Sequence, residues 1–229
     1  MTGSQLFWTR PVRVFDLDGT LVDTLPDLAR ALNAALSDLG LPPVPAALVR
    51  QSLHDGIEGS VDAALQALRA PAALRELLLA RYQVHYDDTP AQLSRPYPGV
   101  HEVLQRLLAR GERLAVCTNK QQELAKRVLG SLGLAPFFSV VVGADTCDHR
   151  KPHSAPLLHA IGALGASRSQ SLLVGDSAVD LACADAAGVD CLVFRGGYGD
   201  VASDHRFDHW EQLLQHDLQS ERPVLPALR

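Results

Sequence analysis

Short apolar, β-leaning runs that alternate with segments of helical period constrain this chain more than any other feature of its sequence. Val12–Phe15 is the first run, and others recur at Arg113–Cys117, Ser139–Val142, Ser171–Val174 and Cys191–Phe194. Between the later runs, Val103, Leu104, Leu107 and Leu108 are closed by Gly111, and Leu124, Val128 and Leu132 by Gly133. Leu157, Leu158, Ile161 and Leu164 end at Gly165, while Leu181, Ala184 and Ala187 end at Gly188. A glycine just past a helix supplies the left-handed residue on which many helices stop. Strand and helix in recurrent alternation predict an α/β fold, a doubly wound parallel sheet with a Rossmann-like core and strand order 3-2-1-4-5.

One segment breaks the alternation. From Leu25 to about Leu93 the pattern is helical and no convincing strand occurs. Leu28, Leu32, Leu36 and Leu39 mark one amphipathic helix, opened by Pro26 and stopped by Gly40. Val61, Leu65 and Leu68 mark a second, and Leu74, Leu77, Leu78 and Tyr82 a third. Pro42, Pro43, Pro45 and Pro71 punctuate the junctions, and Ser94–Gly99 reads as a return linker. The expected organisation is core at 1–24, an inserted helical cap at 25–94 and core again at 95–229. Ser220–Arg229 reads as a loosely held tail.

Composition narrows the partners. A formal charge of −5 argues against nucleic acid or an anionic membrane, both of which need a basic field. It leaves an anionic small molecule open, because a metal and one or two cations can reverse the sign locally. No run approaches the ~18 apolar residues of a membrane span, and Met1–Arg10 lacks the pattern of a secretory signal. Cys117, Cys147, Cys183 and Cys191 have no metal-type spacing, and Cys117 and Cys191 lie in apolar runs as buried thiols. The expected setting is the cytoplasm, with a monomer or homodimer.

The strongest chemical signal is Phe15-Asp16-Leu17-Asp18-Gly19-Thr20. Residues two apart on a strand share a side, so Asp16 and Asp18 face one pocket at the strand's carboxyl end. Two close carboxylates need a cation or a shared proton, which suggests a nucleophile and an acid/base beside a metal. Thr118-Asn119 follows the second strand and offers donors suited to phosphate oxygens. Lys151 follows the third strand, and Gly175-Asp176-Ser177-Ala178-Val179-Asp180 follows the fourth. Each has an ordinary alternative: an Asp-Gly turn, a helix N-cap, a solvated lysine, acids in a first helical turn. Those alternatives leave unexplained why the whole set occurs in order, each member just after an apolar strand.

This series resembles the four motifs of the haloacid dehalogenase superfamily, over nearly the whole chain and including a helical cap between the first two. Asp18 is similar to the acid of its phosphatases and phosphomutases, which the dehalogenases lack. The stretch Asp16–Asp27, Tyr97-Pro-Gly-Val, Thr118-Asn-Lys and Gly197-Tyr-Gly most resemble bacterial phosphoglycolate phosphatases. The resemblance implies an enzyme that hydrolyses a small phosphate ester. Asp16 would be the nucleophile that becomes phosphorylated, and Asp18 would protonate the leaving group and then activate water. Gly19, Thr118 and Asn119 would hold the phosphate, with Lys151 neutralising charge. Asp16, Asp176 and the backbone carbonyl of Asp18 would ligate Mg²⁺ or Mn²⁺, and Asp180 would orient Lys151 or a metal-bound water.

Two departures from the family pattern stand out. Ser154 occupies a position where a proline often follows Lys-Pro, with no chemical consequence expected. The cap loop Ser52-Leu53-His54-Asp55-Gly56 replaces a glycine-asparagine-glycine loop, of which only Gly56 remains. His54, Asp55 and Gly56 are candidate substrate contacts, His54 toward a carboxylate. Other activities compatible with the residues are a β-phosphoglucomutase-like transfer, or hydrolysis of a phosphosugar, muramic acid 6-phosphate or pyrophosphate. A binding protein that kept the fold would be expected to have lost one of Asp16, Asp18, Lys151 or Asp176.

Overall fold

In a computed structural model the described residues are 3–53 and 56–214, which leaves His54, Asp55 and the tail after Leu214 outside them. Every apolar run becomes a strand: β1 (Val12–Phe15), β4 (Arg113–Cys117), β5 (Val140–Val142), β6 (Ser171–Gly175) and β7 (Asp190–Phe194). With the two-residue β8 (Arg206–Phe207) they form one sheet in the order β5-β4-β1-β6-β7-β8, parallel throughout. The first five strands therefore stand in the expected 3-2-1-4-5 order. β8 was not expected, because two residues are too few to give a period.

Between them run α6 (Val100–Ala109), α7 (Gln122–Ser131), α8 (Ala155–Ala163) and α9 (Ala178–Ala187), preceded by α1 (Gly3–Thr9). The strands are apolar throughout because both sheet faces are covered. Phe15, Val116 and Val174 point into one cluster with Leu104, Val128 and Trp210. Val14, Ala115 and Leu173 point into the other with Leu157, Cys183 and Ala187. Arg13 is the charged exception in β1. It is fully buried, with its guanidinium stacked on Phe7 and ion-paired with Glu112. The five glycines expected to close helices all have positive φ, from +63° at Gly165 to +74° at Gly111.

After β1 the chain forms the short β2 (Val22–Asp23) and then four helices: α2 (Leu25–Asp38), α3 (Ala46–Ser52), α4 (Gly56–Leu68) and α5 (Arg75–Asp88). These enclose a hydrophobic cluster of their own, including Leu28, Leu32, Leu36, Val61, Leu65, Leu78, Tyr82 and Tyr86. The returning chain, β3 (Arg95–Pro96), pairs antiparallel with β2, so exit and re-entry lie side by side. Asp27 ties them further. One of its oxygens accepts the Leu93 and Ser94 N–H groups and the Ser94 hydroxyl at 2.7–2.8 Å. Burial alone would raise this carboxyl, but those donors hold it below its usual range.

Two sequence expectations need correction. The proline-rich junction contains a helix, α3, because extended Pro45 stands directly before its first turn and opens it. Along α5 the buried line is Leu78, Tyr82 and Tyr86, each one turn apart, while Leu77 is 46% exposed. At 3.6 residues per turn, Leu77 lies about 100° from Leu78 and turns away from the cluster.

Candidate active site

Asp16, Asp18, Thr118, Asn119, Lys151 and Asp176 sit at the carboxyl end of a strand or in the loop after it, where a parallel sheet gathers its ligand groups, and Asp180 lies in the first turn of α9. Asp16 follows β1, and its N–H donates to the Val174 carbonyl of the adjacent strand. Lys151, from the loop after β5, places its Nζ 2.9 Å from Asp16 Oδ1 and 2.6 Å from Asp180 Oδ1. Ser177 and Asp180 form a capping box that opens α9, so Asp180 Oδ2 accepts the Ser177 N–H and hydroxyl. Both Asp180 oxygens are thereby engaged, and the residue reaches the site through Lys151.

Asp176 receives the Thr20 hydroxyl on Oδ1 at 3.0 Å, and the Tyr198 and Gly199 N–H groups on Oδ2 at 2.7 and 3.2 Å. Asp16, Asp176 and Asp180 each present an oxygen within 4.8 Å of the others, and all are buried. Burial, with the neighbouring Asp180 and Asp176 charges and against the pull of Lys151, raises Asp16 to about 7. Burial and Asp180 likewise raise Asp176 to about 6 despite the N–H donors on it. Burial would lower Lys151, but the two carboxylates outweigh it and hold the ammonium well above its usual range. With all three carboxylates ionised, the single ammonium leaves two negative charges in excess. An all-oxygen set with that excess fits a hard divalent cation such as Mg²⁺ or Mn²⁺.

Asp18 stands two residues after Asp16, in the loop that follows β1. Its Oδ1 accepts the Thr24 hydroxyl at 2.6 Å, and its Oδ2 lies 2.9 Å from Lys120 Nζ. Gly19 has φ +81°, and a Cβ there would stand 2.6 Å from Asp176 Oδ2 and 2.8 Å from the Tyr198 ring. The Gly19 N–H donates to the Val22 carbonyl at 2.8 Å. Thr118 is buried, and its Oγ1 accepts the Lys120 N–H, leaving its hydroxyl proton to donate. Asn119 donates Nδ2 to the Lys151 carbonyl at 3.0 Å, and so braces the lysine's loop, while its Oδ1 is buried without a partner. Gly56 begins α4 with φ +76°.

Sequence reasoning gave no role to Lys120, Thr20, Thr24 or Tyr198. All four lie inside the quoted motifs, Tyr198 at the centre of Gly197-Tyr-Gly. The residue types alone carry no signal of what each touches.

The parallel sheet gathers acidic and cationic side chains at one edge, and comparison with known proteins places the chain. The model of the haloacid dehalogenase-like hydrolases matches residues 13–194, and the chain belongs to that family. A Neisseria meningitidis phosphoglycolate phosphatase is 41% identical over 190 residues, covering 82% of this chain and 81% of the relative. One from Cereibacter sphaeroides is 37% identical over 220 residues, covering 95% and 97%. The crystal structure of a predicted phosphoglycolate phosphatase from Haemophilus somnus superposes with a TM-score of 0.83 at 32% identity, over 91% of this chain and 98% of that one.

Proposed function

We propose that this hydrolase is a phosphatase of small phosphate monoesters, with 2-phosphoglycolate as its substrate and an aspartyl phosphate on Asp16 as its intermediate. The relatives support the class, since those that span nearly the whole chain share the name phosphoglycolate phosphatase. The observation that carries the mechanism is the position of Asp16. It directly follows β1 and is buried, with Lys151 on one oxygen and the acidic pair Asp176 and Asp180 nearby.

In this reading Asp16 attacks phosphorus and the ester oxygen leaves with a proton from Asp18. Water then attacks the aspartyl phosphate, Asp18 takes its proton, and Asp16 is released as a carboxylate. Lys151 stabilises charge on the transferring oxygens and is itself oriented by Asp180. The Thr118 hydroxyl donates to a phosphoryl oxygen. Asp16, Asp176 and the Asp18 carbonyl would hold Mg²⁺ or Mn²⁺, which supplies charge neutralisation for the phosphoryl group. Residues 25–94 act as a cap that limits the leaving group to a small one, and His54, Asp55 and Gly56 would contact the substrate. The cytoplasm is the proposed setting. Among the described residues no helix is long and apolar enough to cross a membrane.

A phosphomonoester panel tests the substrate, and 2-phosphoglycolate should rank first by kcat/KM. A rank at or below the median would sink that assignment. Isomer interconversion without release of inorganic phosphate would indicate a phosphoglucomutase-like transfer instead. Removing metal with EDTA should abolish turnover and Mg²⁺ should restore it, whereas Ca²⁺, with its looser coordination shell, should inhibit.

A further inference from the structure

Lys120 is a buried lysine between two groups on different parts of the chain. Its Nζ lies 2.9 Å from Asp18 Oδ2 in the core and 3.0 Å from the Tyr86 hydroxyl in the last turn of α5. The ammonium lies 4.7 Å from the Tyr86 ring centroid, and the side chain is 6% exposed. Its backbone is fixed on both sides: the N–H donates to Thr118 Oγ1 and the carbonyl accepts the Ala144 N–H. A buried charge is held only where partners compensate it, so this lysine has one well-defined place.

The other oxygen of Asp18 is held by Thr24, the residue directly before α2. One restraint on the Asp18 carboxylate thus comes from the residue just before the helical insertion, and the other from a core lysine that itself contacts the insertion's last helix. An ion pair that served only to hold helices to the sheet would not need the site's acid/base as its partner.

We propose that Lys120 is a positioning residue for Asp18, and that Tyr86 sets where Lys120 stands. The inference rests on the phosphatase reading above. Lys120 holds Asp18 in the rotamer from which it takes the proton of attacking water. In that step the water oxygen bonds to phosphorus, its proton passes to Asp18, and the P–O bond to Asp16 breaks. The preceding transfer from p-nitrophenyl phosphate needs little proton donation, because p-nitrophenolate is a good leaving group. Loss of Lys120 should thus slow the second step more than the first, which a purely structural role would not do.

Acid–base help as a whole is worth about 10²–10⁴-fold, and misplacing the base forfeits part of it. With p-nitrophenyl phosphate, Lys120→Met should lower steady-state turnover about 10–100-fold. In rapid-quench labelling it should also raise the fraction of enzyme carrying phosphate on Asp16 several-fold. Lys120→Arg should recover most of the loss, since it keeps charge and reach. Tyr86→Phe should show the same pattern at about 3–10-fold, and the double variant should be no worse than Lys120→Met, because Tyr86 acts through the lysine.

Phosphoenzyme occupancy unchanged from wild type, or equal slowing of both steps, would overturn the proposal. Multiplying effects in the double variant would overturn the part played by Tyr86. If Lys120→Met does not fold, Lys120→Gln and Tyr86→Phe decide by the same occupancy measurement. If label never appears on Asp16 in any of these proteins, the aspartyl-phosphate reading fails and this inference falls with it. Label on Asp16 with normal Lys120→Met behaviour removes this inference alone.

Discussion

Tyr198 donates its backbone N–H to Asp176 Oδ2 at 2.7 Å, while its phenol accepts the N–H groups of Thr24 and Leu25 at 2.6 and 2.7 Å and donates to Asp23. One residue thus braces an acidic member of the pocket with its main chain and the start of α2 with its side chain. Arg50 of α3 adds a second link by donating to the Gly197 carbonyl at 2.6 Å.

Tyr198→Phe should separate these two jobs. The Thr24 N–H loses its acceptor and the Leu25 N–H keeps only Asp23, at 3.3 Å, so stability should fall by about 1–3 kcal/mol. The N–H that holds Asp176 remains, so Mg²⁺ affinity should stay within about 3-fold of wild type. Thermal melts and a metal titration check both. A large loss of metal affinity at normal stability would show the division to be wrong.

The two carboxylates of the first motif should behave differently. Asp16→Asn should leave no measurable turnover while substrate binding survives, because the attacking group is gone. Asp18→Asn should transfer phosphoryl from p-nitrophenyl phosphate far better than from an alkyl phosphate, then accumulate aspartyl phosphate. Quench-flow labelling with peptide mapping distinguishes the cases. Label on a histidine or serine would replace the mechanism.

The metal-free protein should be more stable in mild acid than at neutral pH as far as the pocket is concerned. Asp16 and Asp176 are raised from 3.8 to about 7 and about 6. Between about 4 and 7 the native state therefore keeps protons that the unfolded chain has lost. The contribution of these groups to stability falls as pH rises through that window. A bound divalent cation takes the protons' place, so excess Mg²⁺ should raise the melting temperature most near pH 7 and flatten the slope. A slope identical in EDTA and in Mg²⁺ would contradict this.

Adjacent leucines of α5 offer a test of its packing. Leu78 is fully buried in the cluster of the inserted helices, and Leu77 is 46% exposed. Leu78→Ala should destabilise by about 2–5 kcal/mol, and Leu77→Ala should stay within about 0.5 kcal/mol. Chemical denaturation of both variants is the check, and comparable losses would mean the helix is rotated from its described face.

What the sequence determined by itself is local and periodic. All-apolar strands covered on both faces, helices closed by glycine and acids at strand ends follow from short-range patterns, and these already define a parallel sheet with its ligand groups at one edge. The insertion was legible as helical, but α3 was hidden among prolines that are equally at home in a loop or at a helix start. The face of α5 was ambiguous for a related reason: Leu77 and Leu78 are equally apolar, and only the neighbours in space choose between them. The pairing of Lys151 with both Asp16 and Asp180, of Lys120 with Asp18 and Tyr86, and of Tyr198 with Asp176 and the start of α2 was decided by tertiary structure alone. Each joins residues 22 to 175 positions apart, and a side chain's partner at that separation depends on how strands stack and loops descend. The chain specifies which groups arrive at the pocket, and packing decides which of them touch.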